Sequence, residues 1–116
     1  MREALNVTDL NDVIEYLYLK RAKNLPAHAL AEILDRLIWC LDDNGAELIE
    51  IQRKWLGSDD ANKIEIALHM NEVCPYHSPE ALSNQLEAIK QKFPFLADNC
   101  ERFAELWKTQ LRCNVC

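Results

Sequence analysis

Glycine is nearly missing from this chain: two occur in 116 residues, Gly45 and Gly57, and proline occurs only four times. So little of either excludes turn-rich β architectures and disordered linkers. It also excludes the Gly-rich loops that cradle phosphates, because those need glycine where backbone approaches an anion. Long apolar runs are missing too. No window approaches the roughly 20 apolar residues of a membrane-spanning helix. The opening stretch, MREALNVTDLNDV, has neither an apolar core nor a small-residue cleavage site, and so predicts no secretory signal.

Basic charge is in deficit. Thirteen Lys and Arg face 19 Asp and Glu, a formal net charge of −6. Such a surface repels the phosphate backbone, which predicts no direct nucleic-acid partner and no membrane partner. A basic protein is the partner it suits. The five cysteines are odd in number and too sparse for a secreted disulfide scaffold. That pattern predicts a cytoplasmic protein with reduced thiols and no required cofactor. No serine, threonine or cysteine has the setting of an activated nucleophile, which predicts a protein that is not an enzyme.

Helical spacing of apolar residues fills most of what remains. Thr8 is placed to cap a first helix carrying Leu10, Val13, Ile14 and Leu17 inward and running to about Lys23. After Pro26, the positions Leu30, Ile33, Leu34, Leu37, Ile38 and Leu41 give the clearest amphipathic rhythm, stopped by Asp43-Asn44-Gly45. A third helix turns Leu48, Ile51 and Trp55 inward and closes at Gly57. Ser58 is the expected cap of a fourth, with Asp59 and Asp60 in its first turn. That helix is apolar on two sides through Ile64–Val73, which predicts a central position. Ser78-Pro79 opens a fifth helix with Leu82, Leu86, Ile89 and Phe93. Asp98 and Glu101 have capping-box spacing for a last one with Phe103, Leu106, Trp107 and Leu111. The expected fold is all-α: a compact single-domain bundle of about six mostly antiparallel helices over 1–116, ending in a frayed tail.

Three constellations bear on chemistry. Cys74 with His77 and Cys113 with Cys116 form two short-spaced pairs, together a legitimate tetrahedral zinc set. This is the alternative reading, a zinc-structured protein whose metal pins the C-terminus. As a redox pair, Cys113 and Cys116 are poorly placed, because they follow a helix C-terminus whose dipole disfavours thiolate. Glu65 and His69 stand four residues apart on one helix, the spacing of an ordinary surface contact more than of an acid–base pair.

The third constellation is acidic. Most carboxylates have a partner three or four residues away, as in Glu32–Arg36, Glu50–Lys54, Glu87–Lys90 and Asp98–Arg102. Asp42 and Asp43 instead fall where the second helix is expected to end, against its dipole. With Glu47 and Glu50 they make an acidic rim beside Trp39, which lies off the apolar stripe. An aromatic ringed by carboxylates suits an Arg-rich protein partner. The sequence therefore predicts a non-catalytic protein–protein interaction module. Its sharper form is a small inhibitor or immunity-type protein that neutralises a basic partner such as a nuclease toxin domain.

Overall fold

The computed structural model describes residues 10–115, with side chains described through residue 108. Among these residues six α-helices follow in order: α1 (Leu10–Lys20), α2 (Ala27–Ile38), α3 (Ala46–Leu56), α4 (Ala61–His69), α5 (Pro79–Lys92) and α6 (Ala97–Val115). A 3₁₀ turn, Pro94–Leu96, leads into α6. No strand occurs among the described residues. The all-α bundle expected from periodicity is the observed fold.

Central position falls to α4. Ile64, Ile66, Ala67 and Leu68 are buried along it, and Met70 is buried just beyond its end. Burying both stripes requires neighbours on both sides, and α4 packs against α2, α3 and α6. The helix stops at His69, short of the expected Val73, because Met70 turns extended at φ −76°, ψ 119°. Gln52, buried on α3, secures that end: its side-chain amide donates to the carbonyls of Ala67 (3.1 Å) and Met70 (3.3 Å). Carbonyls left over at a helix C-terminus need such partners when water is excluded.

The caps differ in detail from expectation. Asp60, not Ser58, caps α4, accepting from the N–H groups of Asn62 (3.0 Å) and Lys63 (3.4 Å). The Ser58 hydroxyl instead donates to the Trp55 carbonyl at 2.8 Å, closing the turn after α3. Asp60 also accepts from the Tyr18 hydroxyl at 2.7 Å, which ties α1 to the start of α4. Burial pushes the Asp60 carboxyl up, but the Tyr18 hydroxyl and the Lys63 and Asn62 N–H groups outweigh it and hold it below the usual range. Ser78 caps α5 as expected, accepting from Ala81 N–H at 3.1 Å with Pro79 in the first turn. The Asp98–Glu101 box is not used, because the 3₁₀ turn runs straight into α6; Glu101 pairs with Lys90 of α5.

Two faces are rotated from the expected ones. On α1 the buried line is Ile14 and Tyr18, leaving Val13 and Leu17 partly exposed; Thr8 lies outside the described residues. On α2 the buried line is Leu30, Ala31, Leu34, Asp35 and Ile38, while Ile33 is 52% exposed. An aspartate thus takes a core-facing position that an isoleucine was expected to fill. The helix ends at Ile38 with Trp39 as its C-cap, and the turn to α3 passes through left-handed Asn44 (φ 60°) and Gly45 (φ 80°).

Candidate functional site

The clearest concavity is built from α2 and the chain leaving α4. His28, Glu32, Asp35 and Trp39 recur at four, three and four residues, so they share one stripe that runs along the edge of the buried line of α2 and meets it at Asp35. With Arg36, they line one wall of an open cleft of about 500 Å³. His69, Asn71 and Glu72 line the other, placed there by the early end of α4.

Trp39 is 66% exposed, and its indole N–H donates to Glu72 Oε1 at 2.9 Å. The contact joins the two walls across 33 residues of sequence. Asp35 lies at the other extreme, only 7% exposed. Its Oδ2 accepts from Asn71 N–H at 3.1 Å, while buried Oδ1 has no hydrogen-bond partner among the described residues. Burial pushes the Asp35 carboxyl up, the Asn71 and Glu72 N–H groups pull it down, and the nearby Glu72 and Glu32 charges push it up again; it stays raised.

The two histidines meet edge to face, ring centroids 6.2 Å apart. Nη1 of Arg102 stands 3.3 Å from His69 Nδ1. Burial, then the Arg102 charge, lowers the His69 pKa; the opposing Glu65 charge does not overcome them. The Glu65–His69 pairing is therefore not what governs this imidazole. Among the described residues, no serine, threonine or cysteine lines the cleft.

The expected acidic rim is placed as follows. Asp42 is exposed in the α2–α3 turn, beyond the end of α2, so the dipole conflict that singled it out does not arise. Asp43 accepts from Gly45 N–H (2.8 Å) and Glu47 N–H (3.1 Å), bonds that fold the turn and lower its pKa, with the Glu47 N–H the largest cause. Glu47 is exposed in the first turn of α3, and Glu50 pairs with Arg53 rather than with Lys54. Glu32 and Arg36 pair at 4.0 Å as expected. The carboxylate held by Trp39 is Glu72, which the sequence did not point to. Asp35 did leave a signal: a carboxylate at apolar spacing between Ala31, Leu34 and Ile38.

Comparison with protein-family models gives no match, and none is found among curated proteins or solved structures. The reading of the cleft rests on its own chemistry.

For the zinc alternative, Cys74 is half-buried, and burial raises its thiol pKa. His77 is exposed. Cys113 falls within α6 rather than after the last helix; its side chain, and Cys116 altogether, lie outside the described residues. Among the described residues no three His, Cys, Asp or Glu side chains are grouped to hold a metal ion. Nor is any helix there long and apolar enough to cross a membrane.

Proposed function

We propose that this chain is a non-catalytic, acidic protein-binding module that docks a basic protein on the corner around Trp39. In its sharper form it is a small inhibitor or immunity-type protein that covers the positive cleft of a partner such as a nuclease toxin domain. The observation that carries this reading is Trp39 itself: 66% exposed, yet held in one orientation by its bond to Glu72. An indole fixed before binding loses little conformational freedom when a partner covers it, and tryptophan is prominent among residues that dominate interfaces. Among the described residues that line the cleft, Glu32, Asp35 and Glu72 outnumber Arg36, while Arg102 stands against His69 at the far wall. Asp42, Asp43, Glu47 and Glu50 extend the acidic surface along the adjoining turn and α3. With a net charge of −6, the chain as a whole steers basic partners toward itself.

The test is affinity purification of the full chain beside two variants. Wild type should retain one basic protein. Trp39→Ala should weaken that complex at least about tenfold, mainly through faster dissociation. Asp42→Lys should slow association and flatten its salt dependence. Asp42 is the cleaner charge to reverse, because Asp43 also holds the Gly45 and Glu47 N–H groups. Equal retention by wild type and Trp39→Ala would overturn the proposal.

A further inference from the structure

Resting on that docking reading, the floor of the cleft adds a more specific feature. Asp35 is a carboxylate only 7% exposed, on the apolar line of a helix, with Oδ1 lacking a hydrogen-bond partner among the described residues. Buried carboxylate oxygens are ordinarily satisfied, and among the described residues this one is not, which leaves the Asp35 carboxyl with accepting capacity beside the cleft that it lines. Among the described residues the fold engages Oδ2, which accepts the Asn71 N–H where the chain leaves α4.

We propose that the cleft receives one arginine side chain of the basic partner, its guanidinium paired with the Asp35 and Glu72 carboxylates that line it and resting against the Trp39 indole. Three features favour guanidinium over ammonium. Carboxylates stand on both walls, Asp35 and Glu32 on α2 and Glu72 opposite, and a planar fork of five donors serves two of them at once where an ammonium is a point charge. A flat indole lines the same space, and guanidinium stacks on such faces. At about 500 Å³, the cleft holds a whole long side chain rather than a bare ion. Arg36 at the mouth opposes any cation, but its side chain is 79% exposed and already turned to Glu32. Burial and the Arg102 charge hold the His69 pKa below its ordinary value, which disfavours a charged imidazole on the far wall.

The experiment is a ¹⁵N-HSQC titration of the full chain with three blocked tripeptides, acetyl-Gly-X-Gly-amide, where X is arginine, lysine or citrulline. Arginine should shift the Trp39 indole and Asn71 amide signals to saturation, lysine should bind about tenfold more weakly, and uncharged citrulline should not saturate. Asp35→Asn should weaken arginine binding about tenfold or more while its other signals stay native-like. Glu72→Gln, an exposed change with no core consequence, provides a second variant and should also weaken arginine relative to lysine. Equal affinity for arginine and lysine, or unchanged affinity in Asp35→Asn and Glu72→Gln, overturns the assignment. The two proposals fail separately. If the tripeptide does not saturate but Trp39→Ala still releases the basic protein, only the arginine receptor falls. If the tripeptide saturates and no basic protein is retained, the docking reading falls and the guanidinium site stands.

Discussion

Gly45→Ala should destabilise the protein by about 2–4 kcal/mol in urea denaturation, a strain of left-handed backbone added to overpacking. Gly45 has φ 80°, and a Cβ built there meets Ile38 Cγ2 at 2.5 Å and the Ile38 Cα at 3.1 Å. Ile38 is buried in the core, so it has nowhere to withdraw. The other glycine supplies the control. Gly57 has φ −97° and its added Cβ would meet nothing closer than 3.8 Å. Gly57→Ala should therefore fall within about 0.5 kcal/mol of wild type or gain slightly, by narrowing the unfolded ensemble. Equal losses at the two glycines would contradict the turn geometry described here. The consequence reaches function, because the Gly45 turn joins the helix that ends at Trp39 to the helix whose start Asp43 holds.

Gln52→Ala should cost about 2–4 kcal/mol, from a cavity plus the Met70 carbonyl left without its side-chain donor. Gln52 is almost wholly buried and is the side chain that satisfies Met70; the Ala67 carbonyl also accepts from Met70 N–H. Gln52→Leu separates the two causes, since it refills the space without restoring a donor and removes the unpartnered Oε1. Its loss should be the smaller. Both variants should speed amide exchange at residues 69–72, where the chain leaves α4 and builds one cleft wall. Exchange there matching wild type would show that Gln52 does not hold that wall.

These two residues also mark where the sequence was legible. Helix number and type followed from apolar spacing, as with Leu48, Ile51 and Trp55 on α3 or Leu82, Leu86 and Ile89 on α5. Ends were harder. Ser78 was readable because serine before proline is a local signal, whereas Asp60 displaced Ser58 through the long-range partner Tyr18. The end of α4 depended on Gln52, which bonds carbonyls 15 and 18 residues away. The same division holds at the site. Trp39 could be singled out from its place off the α2 stripe, and its exposure agrees. Glu72 could not, because nothing local to it foretells a bond to an indole 33 residues distant. Asp35 was legible in principle, since its spacing with Leu34 and Ile38 marked it as inward-facing, but the neighbouring Ile33 fitted the same rhythm and took the place.

The central claim is that a basic protein binds at the Trp39 corner. Hydrogen–deuterium exchange of the full chain, alone and with its purified partner, tests it most directly. Protection should concentrate in residues 28–43 and 69–72, at the helix stripe, the turn and the far wall of the cleft. Protection confined to α5, with 28–43 and 69–72 exchanging as in the free chain, would contradict it.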